Sequence, residues 1–482
     1  MVAPSMGDDD MMWKKSVSML VVLLFLGSAL AGTGSAKTVD VSQIEFEQGE
    51  TEWMGGGEYV GIHAPGMDFR VIYGTPDNQR AITIVSSFTR YLGAAEVYNT
   101  EGEFMANVPI PVVTVTAQRL GFLAEFRDTN HNGMMDPEDF QENGAQGREV
   151  LRTASLVTAW NLTVGDEVQY PDESVGWNFT LSATDLPYTY SVDDAAGKTL
   201  DKVAFTFRLR AGIKDVSVTN VPWYRVEVYE STHGPVVVES SLDSYRNYSG
   251  TAVNASVKYD HLIEGWDFAG NSSRLFLGTA LIMGNHIPEK TEEWVRTQLV
   301  ERIRGEGMIE ARNESGNISL GANLTKPTLI RDNEMHFQDN WEKIGNFSWV
   351  SNVTLTDRSG RTQEGNVTFS VHRVLRIDHI NMKGDVFRGF MALGGFSYPS
   401  AYGIFHDPTF SATAYSFDIL KEIRELPAGI LFLQTVIAGV VVIGAVAYRR
   451  GRKKAASQSR EETGSAVPSS SGRGRGGPQE YP

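Results

Sequence analysis

From Val203 to Arg210 every odd position is apolar (Val203, Phe205, Phe207, Leu209), and the later even positions are polar. A period of two sends alternate side chains to opposite faces, so this segment must be a strand with one face on a core. Comparable runs at 69–73, 82–86, 112–116, 224–229, 253–259 and 367–371 are separated by Gly, Asn, Asp and Pro. That punctuation signals β-sandwiches or barrels. Residues 310–313 and 317–321 flank Glu314-Ser315-Gly316 as a hairpin. Between 289 and 304 the pattern changes: Trp294, Val295, Leu299 and Ile303 approximate one helical face, Pro288 precedes it and Gly305 follows. A helix there would pack on a sheet or bridge two β-domains.

Two apolar segments set the expected topology. Residues 429–448 read GILFLQTVIAGVVVIGAVAY without a charge. At about 1.5 Å per residue this run matches a hydrocarbon core of about 30 Å. The basic cluster Arg449-Arg450-Gly451-Arg452-Lys453-Lys454 follows directly, and such a flank stays cytoplasmic. Near the start, Lys14 and Lys15 precede an apolar run from Val17 to Ala31, then Gly34-Ser35-Ala36. This is the order of a secretory signal peptide, or of a signal anchor if it is not cleaved. Asp8-Asp9-Asp10 is unusual upstream of such a run and fits translation starting at Met11 or Met12. The segments beyond 449 are rich in Ser, Gly, Pro and Arg, a composition unable to bury a core.

Eleven Asn-x-Ser/Thr sequons occur, at Asn161, Asn178, Asn247, Asn254, Asn271, Asn313, Asn317, Asn323, Asn346, Asn352 and Asn366. Most of their middle residues are apolar, among them Phe179, Ala255, Phe347, Val353 and Val367. On a strand that arrangement turns the middle residue inward and leaves Asn and the hydroxyl residue outside. Sequons are acceptor sites for N-glycans on exported proteins. The chain has no cysteine, which excludes disulfides, cysteine-ligated metals and a thiol nucleophile. Its net charge of −16 excludes a nucleic-acid binder, which needs a basic footprint.

Residues 128–139 read Asp-Thr-Asn-His-Asn-Gly-Met-Met-Asp-Pro-Glu-Asp. Oxygen donors fall at loop positions 1, 3, 5, 9 and 12, as Asp128, Asn130, Asn132, Asp136 and Asp139. The Met134 carbonyl can serve at position 7, and Gly133 permits the sharp turn at position 6. Calcium takes six to eight hard oxygens in this kind of array. The loop resembles those of EF-hands, dockerin modules and thrombospondin type-3 repeats, the last two most closely. The resemblance covers only these residues and implies a calcium site. It departs from an EF-hand in carrying Asp139 where Glu is usual, in being entered by a strand (112–127), and in standing as a single loop. An Asn/Asp-rich turn using the same residues for local hydrogen bonds is the alternative.

No H-E-x-x-H, G-x-S-x-G or phosphate-binding G-x-x-x-x-G-K-[ST] motif is present, and no catalytic residue is assigned. Glu264-Gly265-Trp266-Asp267 sets two carboxylates beside an aromatic, which reads more simply as a turn with a packed Trp; His406-Asp407 reads as a turn before Pro408.

The expected protein is therefore mainly β, with one or two antiparallel β-sandwich-like domains, a bridging helix and a single C-terminal transmembrane helix. Its organisation would be a signal peptide (1–36), an N-terminal β region containing the loop (37–160), a β domain (161–288), a helix (289–305), a β domain (306–417), a juxtamembrane helix (418–426), a transmembrane helix (427–448) and a cytoplasmic tail (449–482). Abundant sequons without cysteine resemble the architecture of archaeal single-pass cell-surface glycoproteins. That resemblance implies a calcium-binding surface protein with a binding, adhesion or envelope role, its partners being the membrane and other surface proteins or glycans. The alternatives are a membrane-anchored extracellular hydrolase or an accessory subunit of a membrane complex.

Overall fold

The computed structural model describes residues 41–51, 56–64, 66–128, 131–135, 150–191, 197–231, 234–270, 272–288, 308–313, 316–320, 327–339, 342–382 and 385–416. The expected signal peptide, the helix at 289–305, the juxtamembrane and transmembrane helices and the tail lie outside these residues. Among the described residues, no helix is long and apolar enough to cross a membrane.

The described chain is mainly β and its sheets are antiparallel. A short 3-10 turn, Val41–Gln43, leads into β1 (Glu45–Thr51), β2 (Gly57–Ala64), β3 (Met67–Tyr73), β4 (Thr83–Asn99) and β5 (Phe104–Arg127). Next come β6 (Val150–Ser155), β7 (Asn161–Gln169), β8 (Val175–Ser191), β9 (Thr199–Ser231), β10 (Gly234–Glu264) and β11 (Ser273–Pro288). Then follow β12 (Met308–Asn313), β13 (Gly316–Leu320), β14 (Thr328–Ile330), β15 (Glu334–Asp339), β16 (Glu342–Ser348) and β17 (Asn352–Thr356). The last are β18 (Thr362–Asn366), β19 (Thr368–Met382), β20 (Asp385–Pro399), β21 (Gly403–His406) and β22 (Thr409–Ser416).

Sequence neighbours pair as β1–β2–β3–β4. Next, β8 pairs with β6, β7 and β9, and β6 pairs with β5. From β5 the pairing continues to β11, β20, β19 and β14. A further run leaves β10 through β22, β16, β15 and β12 to β13, and another through β21 and β17 to β18.

The described residues fall into two compact units. The larger holds 41–95, 108–224 and 241–416, and the smaller holds 96–107 and 225–240. In the larger, one hydrophobic core collects residues from Ile44 to Ala412, so the segments 37–160, 161–288 and 306–417 all contribute to it. Phe69 and Phe410, near opposite ends of this stretch, meet there with ring centroids 6.2 Å apart. Val203, Phe205, Phe207 and Leu209 are fully buried, while Arg208 and Arg210 reach solvent. Burying side chains of this size stabilises by about 1.5–3 kcal/mol each. Phe347, Trp349, Phe369 and Phe396 form a second aromatic knot, with Trp349 and Phe369 4.7 Å apart.

Alternation does not describe β5. Thr114, Thr116 and Gln118 are as buried as Val115 and Ala117 between them. The apolar residues face a small cluster with Tyr59, Ile72 and Val85. On the other face Thr114 donates to Asn285 (2.9 Å) and Gln118 to Tyr259 (2.8 Å). A strand covered on both faces can hold polar side chains when they find such partners. Ile82 and Val367 lie one residue outside β4 and β19, and Gly316 opens β13 instead of belonging to the turn.

In the smaller unit, Asn99 accepts from the backbone N–H groups of Glu101 and Glu103 and so closes the turn between β4 and β5. The Arg225 guanidinium lies 3.8 Å from the Tyr98 ring centroid, a cation–π contact.

Candidate metal centre

Strand β5 stops at Arg127, so Asp128 is delivered by a strand end and the described loop begins there. His131 and Gly133 adopt φ of +57° and +72°, the left-handed conformation that makes the chain reverse within a few residues. This folds the Gly133 N–H back onto Asp128 Oδ2 at 3.1 Å. Asn132 Oδ1 accepts from the Met134 N–H at 2.7 Å. The loop is pinned from beyond itself: Thr368 on β19 donates its hydroxyl to the Gly133 carbonyl. Met135 is fully buried with Ala124, Phe126 and Phe276.

Asp128 is the buried member of the set, 8% exposed. Its Oδ1 is shut off from solvent and has no hydrogen-bond partner among the described residues, a costly state for a carboxylate oxygen. Among the described residues, Arg274 interacts electrostatically with this carboxylate. Burial lowers that guanidinium's pKa and the Asp128 carboxylate pulls it back up. Arg274 itself donates to the carbonyls of Ser397 (3.0 Å) and Asn366 (3.4 Å). The described donors are of the kind a hard cation takes: one oriented carboxylate with an unsatisfied oxygen and an amide oxygen on the same chain reversal. Of the six expected ligands, Asp128, Asn132 and Met134 are described, whereas Asn130, Asp136 and Asp139 lie outside the described residues.

Three further clusters were not legible as spacing in the sequence. Glu47, His63 and Asp68 bring one donor atom each within 4.8 Å of one another. They meet because β1, β2 and β3 are adjacent, with His63 directly opposite Asp68. His63 Nδ1 lies 2.8 Å from Asp68, a hydrogen bond that raises the imidazole pKa against the effect of burial. Arg70 also pairs with Asp68 (3.2 Å), and Tyr59 donates to Glu47 (2.7 Å).

His261, Tyr398 and His406 form a buried chain. His406 is not in a turn; it ends β21. Its Nε2–H donates to the Val350 carbonyl (2.9 Å), so Nδ1 accepts from the Tyr398 hydroxyl (3.1 Å). The Tyr398 oxygen in turn accepts from His261 Nε2–H (2.8 Å). These roles are those of neutral imidazoles, the form that burial favours at both sites. Burial lowers His406 to a pKa of about 4 and, with His406 adding to it, depresses His261 well below its usual value.

Glu125, fully buried, accepts from Trp266 Nε1 (3.1 Å), the Ala269 N–H (2.8 Å) and Ser273 Oγ (2.6 Å), with Arg152 4.0 Å away. It fastens the turn that carries Trp266 and Asp267. Gly265, at φ +79°, starts that turn with Asp201 packed where a side chain would project. Asp267 is held by Lys198 (2.9 Å) and Arg152 (3.4 Å), which keep its carboxyl below the usual range. This pairing ties the carboxylate into a charge network beside a packed Trp.

The sequons fall into two groups. Asn161, Asn247, Asn317, Asn352 and Asn366 are exposed, and Asn178, Asn254 and Asn346 are half-buried. The middle residues Phe179, Ala255, Phe347, Val353 and Val367 are all buried. Asn271, Asn323 and the side chain of Asn313 lie outside the described set.

No protein-family model matches the chain. No curated protein matches it either.

Proposed function

We propose that the chain is a single-pass, N-glycosylated cell-surface protein whose β-rich ectodomain is braced by calcium at 128–139. In this reading residues 1–36 direct export, 427–448 span the membrane, 449–482 remain cytoplasmic, and 289–305 form a helix bridging sandwich-like β layers. The ligands are Asp128, Asn130, Asn132, the Met134 carbonyl, Asp136 and Asp139. The role is binding, adhesion or envelope structure, with other surface proteins or glycans as partners.

The observation that carries the calcium assignment is the buried Asp128 Oδ1 without a hydrogen-bond partner among the described residues, beside an Oδ2 already fixed by the Gly133 N–H. Bound calcium gives this oxygen the direct partner that Arg274, which donates to the Ser397 and Asn366 carbonyls, does not supply. The chain does the rest: Gly133 makes the reversal, Thr368 holds its carbonyl, and Met135 anchors the exit in the core. Bracing a surface loop in this way suits a displayed module, and such extracellular sites bind at about 10⁻⁴–10⁻³ M.

Location is tested by expressing the intact chain in a host that exports and N-glycosylates proteins, then treating whole cells with protease. The expected result is a membrane-bound protein whose ectodomain is cleaved from outside, with glycans on ectodomain peptides. A protein protected in intact cells and carrying no glycan contradicts the reading.

A further inference from the structure

We propose that Glu47, His63 and Asp68 form a second metal site, one that takes zinc, on the antiparallel strands β1, β2 and β3. The site is separate from the loop at 128–139 and stands whether or not that loop takes calcium.

Strand register brings the three side chains together. His63 lies directly opposite Glu45 on one side and Asp68 on the other, and residues directly opposite share a face of the sheet. Glu47, two residues on from Glu45, points to that face as well. The connection between β2 and β3 holds the register, because Ala64 and Met67 pair at its two ends and are both buried. His63 Nδ1 lies 2.8 Å from Asp68 Oδ1 and 3.9 Å from Glu47 Oε1, and all three donor atoms fall within 4.8 Å of one another. Zinc bonds of about 2.0–2.2 Å set tetrahedral ligands about 3.4 Å apart, a spacing that the two measured separations bracket. Among the described residues, no other three His, Asp or Glu side chains converge in this way.

The donors are an imidazole nitrogen and two carboxylate oxygens, a set that suits zinc. Calcium takes six to eight oxygens and is poorly served here. Outer groups hold the ligands in place. The Tyr59 hydroxyl donates to Glu47 Oε2 (2.7 Å), which leaves Oε1 on the His63 side. Arg70 donates to Asp68 (3.2 Å), while its guanidinium lies 4.4 Å from the Tyr59 ring centroid. Hydrogen bonds of this kind orient metal ligands. Around His63 stand three carboxylates, Glu45, Glu47 and Asp68, against the one guanidinium of Arg70, which leaves two net negative charges for a divalent ion to meet. Without the ion, the His63 Nδ1–H donates to Asp68; zinc takes the place of that proton. His63 is exposed and the two carboxylates are half-buried, so water can complete the fourth position from solvent.

The test uses the intact chain with calcium in excess, so that sites preferring calcium are filled before zinc is added. Equilibrium dialysis measures bound zinc. Wild type is compared with Glu47→Gln, His63→Gln and Asp68→Asn, and with His336→Gln, which removes another imidazole paired with a carboxylate, that of Glu334. Changes to outer partners alone typically cost about 10–100-fold in metal affinity, so each ligand change should weaken zinc binding at least about tenfold, and His336→Gln should leave it unchanged. If a ligand variant does not fold, the wild-type chain still decides: zinc should shield His63 from diethyl pyrocarbonate, read by peptide mass spectrometry, and calcium should not. Zinc bound equally well by wild type and His63→Gln overturns the inference. So does an absence of zinc binding at micromolar concentration, or a His63 modified at the same rate with and without zinc. Glu47, His63 and Asp68 are then a salt-bridge cluster only.

Discussion

The Thr368 hydroxyl donates to the Gly133 carbonyl across 235 residues of sequence. One hydrogen bond thus ties the loop between β5 and β6 to the start of β19. Thr368 is also the third residue of the Asn366 sequon, so the candidate metal loop and a sequon share a side chain. A net contribution of about 1 kcal/mol is typical for such a bond. Its importance here lies in position, because it fixes the one turn whose donors must converge.

Gly133→Ala tests the turn. The backbone is left-handed there, and an added Cβ would lie 3.2 Å from the Thr368 side chain. An L-residue in this conformation costs about 1–2 kcal/mol. Urea unfolding should show a loss of that order, together with weaker calcium binding. Unchanged stability and affinity would remove the special role of Gly133.

Glu125→Gln should be among the most damaging single changes. The amide keeps the volume but turns a donor toward a site already filled by donors from Trp266, Ala269 and Ser273, and it strips Arg152 of its buried counter-charge. Breaking a buried charged network typically costs about 3–5 kcal/mol. A loss below about 1 kcal/mol in denaturant would show that the network is relaxed by solvent.

Acid should weaken the core through His261 and His406. Their folded pKa values are depressed, so between the ordinary value of 6.5 and about 4 the unfolded chain binds more protons than the folded one. Their contribution is fully present above pH 6.5 and is lost as pH falls toward 4. Tyr398→Phe removes the hydroxyl joining the two imidazoles and should cost about 1–3 kcal/mol at neutral pH. Stability that stays flat from pH 7 to 4.5 would contradict neutral buried imidazoles.

His63 should behave oppositely. Asp68 raises its folded pKa, so its contribution is fully present below pH 6.5 and fades as pH climbs through the raised value. Asp68→Asn should return the imidazole to the ordinary range, as read by NMR titration. No change in that titration would mean the pair is not formed in solution.

The β-character was legible because side-chain period is a local property: Val203, Phe205, Phe207 and Leu209 announce a buried face by themselves. The two-sided burial of Thr114 and Thr116 was not, since it depends on which cluster covers the second face. The loop at 128–139 was visible because its donors are consecutive. Glu47, His63 and Asp68, or His261 with His406, become neighbours only through strand register, and no spacing in the sequence encodes that juxtaposition.

Calcium bracing at residues 128–139 is tested by calcium titration with thermal and denaturant unfolding of wild type and Asp128→Asn. The variant keeps an acceptor for the Gly133 N–H and removes the buried charge. At calcium about 100 times Kd the wild type should gain about 2.7 kcal/mol, with little or no gain in the variant. Equal response of the two proteins, or none in either at calcium up to about 100 mM, well above the expected Kd, would contradict calcium bracing and leave residues 128–139 as a turn held by Thr368 and Met135.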